Sequence, residues 1–576
     1  MTDPARRPLW TTAAWTLVVA ACAVSAVAGR LCFLARPLAS DSAMFIYMGK
    51  LVAEGGRVGP DLVDNKFPTV GLMTSAAWRA FGTAWPAYVG LGAALSAIAA
   101  AALGAAAGRG RTATVLFALV FLNLAPAVFG GFQLETPIAC FTSLAAMGAV
   151  RAIEEDAPAA AFVAGLAAGC AALLKPTGVG VLGAMAIGLA VRRSLEPRRR
   201  EGAKMVDGRD RVLTAPTVHP LPPSNLSVSL RAFAPSRFNF SFSRQGRSTG
   251  ACTLGTCALA GLAVPLSVAA AYLSAASLWG ELPITAQRLS AYAEGSVFDA
   301  VSWVKLATVA ALLGFPIVVR LVMSGLPAKP VSEVRRRPGS GTEESGSSAH
   351  LESGLAAPRP PAVLAFAVAW LAIELAGVIA QRRMYAYHFL PVVPPAALLF
   401  GLLPRPARPW PLLAALGPAA ALSFCYALHV IAAPGEDRLP VGRYLQARAA
   451  AGDRVWADDW PRLMLETGLR PGSRQALTFL FANDDATAGA DSAQIVADLD
   501  DRRPAFIVLP ADLPKWLHRQ TTGIVELAQH PTRAAAYTAG WRRIERYTLA
   551  HYLREAVVGD EAVYRRADPI VTADAR

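Results

Sequence analysis

The sequence predicts an α-helical polytopic membrane protein of about eleven spans with a small C-terminal α/β domain. Three observations carry this expectation. Apolar side chains make up 54% of the 576 residues and the mean hydropathy is +0.39, an apolar excess beyond that of a soluble chain of this length. Apolar runs close to the ~20 residues needed to cross a ~30 Å hydrocarbon core recur along the first three quarters of the chain. They stop near Pro434, after which the composition becomes that of a soluble domain, dividing the chain into 1–433 and 434–576.

The spans fall at residues 10–34, 88–107, 112–129, 137–150, 159–174, 178–191, 253–273, 304–322, 362–380, 389–403 and 411–432. The fourth, fifth, sixth and tenth are short for a crossing, so tilt or local thinning of the bilayer is expected there. At the N-terminus, Arg6-Arg7 and "AVSAVAG" have the look of a secretory signal. The apolar run continues to Ala35, which favours an uncleaved first span. The loops "RRSLEPRRR", "RLVMSGLPAKPVSEVRRR" and "PRPARPW" share a side with the N-terminal "ARRP", and the excess of arginine makes that side cytoplasmic. Residues 39–85, "GGFQLE", "LLKPTG", the loop that holds Trp279, Arg288, Tyr292 and Trp303, and "AQRRMYAYH" then lie outside. An odd number of spans places the C-terminal domain outside too.

In that domain "RVWADD" reads as a strand, "SAQIVADLDDRRP" as an amphipathic helix, "AFIVLP" as a buried strand and "EAVYRRAD" as a final strand. Its "ADDWP" and "ANDDA" resemble metal-binding clusters at first sight, but turn and cap chemistry explains them. Residues 192–250 and 323–361 are rich in Ser, Pro, Gly and charge, and read as disordered cytoplasmic loops without chemistry. The net charge of +14 sits in short loops, with no basic domain or pattern of stacking aromatics, so nucleic acid is not an expected partner; topology and anionic lipid account for it. The seven cysteines lie in or beside apolar runs and suggest neither a disulfide framework nor a metal site.

The most informative stretch is "ASDSAMFIYMGKLVAEGGRVGPDLVDNKFPTVG", residues 39–71, directly after the first span. Ser40 or Asp41 can cap a helix whose Met44, Met48, Leu51 and Val52 share one face, and Gly55-Gly56 would end it. Such a helix would lie in the membrane surface. Asp41 is then either an N-cap or a site residue, because an ionisable group at a membrane boundary costs energy unless it faces water, a partner or a cavity. Glu135 is either an acid opposing a helix dipole or a second site carboxylate. Lys175 either snorkels to the headgroups or meets a ligand. Arg382, Arg383, Tyr385, Tyr387 and His388 either anchor a helix end at the interface or line the same site. Asp61 and Asp64 read as turn residues.

Four stretches together resemble the GT-C superfamily of glycosyltransferases, nearest to protein O-mannosyltransferases and the aminoarabinose transferases of lipid A. They are residues 39–71 with Asp41 and "D-x-K-x-P", "FGGFQLETPIACFTSLAAMG" with Glu135, "AGLAAGCAALLKPTGVGVL" with Lys175, and "QRRMYAYHFLPVVPPAALL". Ser42 stands where the family often has a second carboxylate, and Phe67 where many members have a first proline. The resemblance implies a bacterial-type inner-membrane enzyme that moves a sugar from a polyprenyl-phosphate donor to a lipid, glycan or protein acceptor outside the cytoplasm, with inversion. It implies Asp41 as general base, Glu135 as second carboxylate, and Lys66, Lys175, Arg382, Arg383, Tyr385 and His388 as contacts to the donor phosphate. A divalent cation, Mg or Mn, held by Asp41 and Glu135 is a further implication. The competing readings are a transporter or glycolipid flippase, which predicts internal repeats and polar residues at mid-membrane depth, and an inactive glycolipid-binding relative.

Overall fold

Each of the eleven apolar runs forms a helix in the computed structural model, which describes residues 9–35, 39–64, 66–128, 131–210, 250–294, 300–325, 361–382, 385–403, 410–432, 440–458, 460–476, 478 and 485–567. In chain order the helices of the first three quarters are α1 (Leu9–Leu31), α2 (Ser40–Ala53), α3 (Pro68–Phe81), α4 (Trp85–Ala107), α5 (Arg111–Leu122), α6 (Glu135–Glu155) and α7 (Pro158–Leu174). They continue with α8 (Gly180–Asp210), α9 (Ala251–Ala275), α10 (Glu281–Glu294), α11 (Ala300–Gly325), α12 (Pro361–Ala380), α13 (Val393–Leu402) and α14 (Trp410–Ala432). Among the described residues, eight helical segments are long and apolar enough to cross a membrane, and Arg111–Leu122, Pro158–Leu174 and Ala386–Leu402 are shorter apolar helices. The chain is therefore a mostly helical, multi-pass membrane type.

The length expectations are met at α7 and α13 and corrected elsewhere. The fourth run extends to 21 residues as α6 and the sixth to 31 as α8, while α5, expected to be full length, has 12. Asn123 and Pro126 explain the early end of α5. The Asn123 amide donates back to the Leu119 carbonyl (2.9 Å) and its Oδ1 accepts from Arg30, and a proline cannot continue the helix. Part of the first loop expected to be disordered is also ordered, because α8 runs on to Asp210. Its Arg192 bonds the Ile153 carbonyl and Asp156 just beyond α6. The rest of that loop, 211–249, and residues 326–360 lie outside the described residues.

A buried cation organises the end of the bundle that carries α2. Arg30, 1% exposed near the end of α1, donates to Asn123 Oδ1 (3.2 Å), Ser96 Oγ (3.1 Å) and the carbonyls of Gly131 (2.8 Å) and Leu122 (3.0 Å). One side chain thus ties α1 to α4 and to the turn that leads into α6.

The C-terminal region adds α15 (Pro440–Gln446), α16 (Trp460–Thr467), α17 (Asp485–Arg502), α18 (Leu513–Gly523), α19 (Val525–Ala528) and α20 (Pro531–His551). Its strands are β1 (Arg454–Trp456), β2 (Arg470–Pro471), β3 (Phe506–Pro510), β4 (Tyr552–Val558) and β5 (Glu561–Arg566), in the order β2-β1-β3-β5-β4. β1 runs parallel to β2 and β3, and β5 is antiparallel to β3 and β4. The near-continuous burial of β3 is what a central strand covered on both faces requires.

This region packs onto α2, which corrects the expectation of a surface helix. Residues 43–48 share one apolar core with Leu134 just before α6, Ile138 of α6, Leu174 of α7, and Trp456, Trp460 and Leu463 of the C-terminal region. The Tyr47 ring meets Trp460 edge-on at 4.9 Å. The run "AMFIYMG" is apolar all round rather than on one stripe, and such a helix is buried. Gly55, at φ +87°, supplies the left-handed turn that ends the helix. Gly49 allows α3 to approach: a Cβ there would stand 2.5 Å from the Thr74 carbonyl oxygen. We expect Gly49→Ala to lower stability by about 1–3 kcal/mol through overpacking, read as an earlier thermal transition in detergent; an unchanged transition would show that α2 and α3 separate without cost.

Candidate active site

Asp41 occupies the first turn of α2, whose N-cap is Ala39 in an extended conformation without a side-chain cap bond. Neither Ser40 nor Asp41 caps the helix as expected, so the Asp41 carboxylate is left for other contacts. The next residue has a different role. Ser42 is fully buried and its hydroxyl donates to the Phe132 carbonyl (2.7 Å), fastening the start of α2 to the turn before α6. A carboxylate at this position would face that carbonyl with no proton to give, which accounts for serine here.

The loop after α2 separates its two acids. Asp61 is the expected turn residue: its Oδ2 accepts from the Arg57 backbone N–H (2.8 Å) and faces the Arg57 guanidinium at 3.8 Å. Asp64 is not. It is 5% exposed, its Oδ1 lies 3.9 Å from Lys66 Nζ, and both charges are felt at Asp41. Burial pushes the Asp41 carboxyl above its ordinary range; the Lys66 ammonium and the Tyr387 hydroxyl, which donates to it, pull the other way, and Asp64 adds to the rise.

Glu135 is the first residue of α6 and is buried. Its Oε1 lies 3.6 Å from Lys175 Nζ, at the end of α7, while its Oε2 has no hydrogen-bond partner. Lys175 also donates to Gln381 Oε1 (2.7 Å) at the end of α12. It therefore does not snorkel away but closes a pair inside the protein. Lys66 and Asp41 are within electrostatic reach of Glu135, so residues from α2, the 57–67 loop, α6, α7 and α12 converge.

The 3-10 turn Ala386–Val392 completes the arrangement. Tyr385 and Tyr387 stack at 5.5 Å, and His388, 6% exposed, meets the Tyr387 ring edge-on at 4.6 Å. Tyr387 joins this aromatic group to Asp41. Arg382 is exposed, at φ +55° just beyond α12, and stands outside the polar group; Arg383 lies outside the described residues. Beside Tyr385 opens an apolar cavity of about 340 Å³, lined by Phe121, Leu124, Leu312, Phe389 and Leu422 with Lys305 as its charged side chain.

Two participants escaped sequence reasoning. Asp64 looked like a turn residue, yet its place two positions before Lys66 in "DNKFP" was the available signal. Glu374, 3% exposed in α12, accepts from Trp370 Nε1 (3.1 Å) and acts on Lys175 electrostatically. A lone carboxylate in an apolar span is itself a site signal. Trp279 is half exposed and bonds Ser274 Oγ (2.9 Å), and Trp303, in α11, is 60% exposed. In the C-terminal region Asp458 of "ADDWP" accepts from the Thr478 N–H and hydroxyl, a contact across twenty residues rather than a local turn, while Asn483 and Asp484 of "ANDDA" lie outside the described residues.

The polar group sets two carboxylates against two ammonium groups. Glu135 Oε1 faces Lys175 and Asp41 lies within electrostatic reach of Lys66, while Glu135 Oε2 has no hydrogen-bond partner. Among the described residues no three His, Cys, Asp or Glu side chains group at metal-binding spacing. What the arrangement offers is a half-buried carboxylate of raised proton affinity near one ammonium group and bonded by a phenol, Tyr387, whose ring stacks on Tyr385 at the wall of an apolar cavity. No protein-family model matches the chain, and no curated protein matches it.

Proposed function

We propose that the protein is a membrane glycosyltransferase of GT-C type that transfers a sugar from a polyprenyl-phosphate donor to a hydroxyl of a lipid, glycan or protein acceptor. The observation that carries this reading is the convergence of Asp41, Lys66, Glu135, Lys175 and Tyr387 beside an apolar cavity. Each part meets one need of the reaction. Asp41 accepts the acceptor hydroxyl's proton as its oxygen attacks the anomeric carbon. The bond from that carbon to the phosphate oxygen breaks on the opposite face, giving inversion. The negative charge left on the lipid phosphate meets Lys66 and Lys175. The cavity beside Tyr385 takes the first prenyl units by apolar burial, and Lys305 stands where the chain meets the headgroup region.

In this reading the polar end of the bundle and the C-terminal region face away from the cytoplasm, in a bacterial-type inner membrane with the N-terminus inside. Accessibility labelling of a cysteine introduced near Gly452 tests that orientation, and cytoplasmic labelling would overturn it. The function is tested in membranes supplied with polyprenyl-phosphate sugars. Wild type transfers sugar, and Lys66→Ala weakens use of the donor by about 10–100-fold, as expected for losing a charge-assisted contact. Absence of turnover with every donor would overturn the proposal.

Glu374 favours one second reading, lipid translocation. It lies six residues before the end of α12, roughly 9 Å into the span, where polar groups mark pathways. Lipid movement across vesicles without sugar transfer would select it.

A further inference from the structure

A turn of the C-terminal region, 473–475, meets the loop that carries Lys66. Val63 forms an isolated parallel bridge with Gln475, and its backbone N–H donates to the Arg474 carbonyl (2.8 Å). Val63 is followed at once by Asp64, and Lys66 is three residues on. The turn is itself held from below by one side chain. Asp498 of α17 is 8% exposed and its Oδ2 accepts from the Ser473 hydroxyl (2.9 Å) and the Arg474 N–H (2.9 Å). Its Oδ1 accepts from Gln494 Nε2 (2.8 Å), and the Arg474 guanidinium stands at 3.8 Å. A carboxylate receiving several hydrogen bonds in a buried place is a strong local clamp. Gln475 is fixed again by Asp491 (3.0 Å) and by Trp460, whose ring N–H donates to its carbonyl (2.7 Å).

We propose that Asp498 is a positioning residue for the donor-phosphate site: by clamping the 473–475 turn it fixes Val63, and through Val63 the Asp64–Lys66 segment. This rests on the reading of Lys66 as a phosphate contact. Asp41 is fastened separately, through Ser42 to Phe132 in the turn before α6. Release of the turn therefore acts on donor binding more than on the proton-transfer step. The C-terminal region, on this account, is part of the working site although it supplies no side chain to the reacting atoms.

The test uses the full chain in detergent or nanodiscs, with a polyprenyl-phosphate sugar as probe. Asp498→Ala raises the donor KM about tenfold, the effect of weakening one charge-assisted contact, while kcat stays near wild type. In the same sample, amide hydrogen exchange at 61–66 accelerates and exchange in α2 does not. Val63→Pro deletes the bridging N–H while leaving α17 intact, and gives the same split should Asp498→Ala fail to fold. A folded variant with wild-type KM and wild-type exchange at 61–66 overturns the proposal, as does a kcat loss with unchanged KM. If wild type transfers no sugar, the glycosyltransferase reading fails, and the exchange data by themselves decide whether Asp498 holds the loop.

Discussion

Asp41→Asn is expected to lower the rate of sugar transfer by about 10²–10⁴-fold, the usual contribution of a positioned general base. The amide keeps the size of the side chain and can still accept from Tyr387, whose hydroxyl donates to Asp41, so the loss should appear in kcat with the protein folded. The wild-type pH profile carries a linked expectation. Burial raises the Asp41 carboxyl above its ordinary value of about 4, and only the carboxylate can take a proton. Activity should thus fall as pH drops through that raised value, with an acid limb above the ordinary carboxyl range that is missing from the variant's residual rate.

Stability moves in the opposite sense. The folded protein holds this proton more tightly than the unfolded chain does. The contribution of Asp41 to stability is therefore complete below the unfolded carboxyl value and is lost as pH rises through the folded one. At neutral pH the charged group costs stability, so Asp41→Asn should melt slightly later than wild type while losing activity. A folded variant with full transfer would remove Asp41 from the mechanism.

Arg30→Met should destabilise the protein by about 3–5 kcal/mol, the effect of breaking a buried, fully engaged charged group. The thioether fills much of the space but leaves the Gly131 and Leu122 carbonyls, Asn123 and Ser96 without the donors that now satisfy them. Arg30→Lys should fall between, since an ammonium cannot reproduce the planar fork that reaches four partners. The change is read as loss of monodisperse protein on heating in detergent. Because the same turn carries Phe132, which anchors Ser42, the surviving Arg30→Met protein should also transfer sugar more slowly. An unshifted melting profile would mean that water or rearranged side chains replace the guanidinium.

Much of the site was legible before any coordinates. Asp41 was singled out because charge beside an apolar run is expensive, and Glu135, Lys66, Lys175, Tyr385 and His388 because their motifs resemble those of a known family; the structure brings Glu135 and Lys175 to 3.6 Å. Arg382 was singled out on its motif as well and stands exposed. Charge cost marks where a polar residue is unusual, but not which way its side chain turns. Asp64 and Asp61 show the limit: three residues apart in a polar loop, one is buried beside Lys66 and the other closes a turn on Arg57.

What the sequence determined by itself is what local composition controls. The length of an apolar run measures its tendency to enter lipid, the unbroken apolar run "AFIVLP" suits a central strand, and the glycines after α2 end that helix. The burial of α2, the clamp of Asp498 on the turn beside Val63, and the pairing of Lys175 with Glu135 and Gln381 were decided only by tertiary structure. Those contacts join residues that are tens to hundreds of positions apart. Their energies depend on distance and on exclusion of water, and neither quantity exists until the helices have packed.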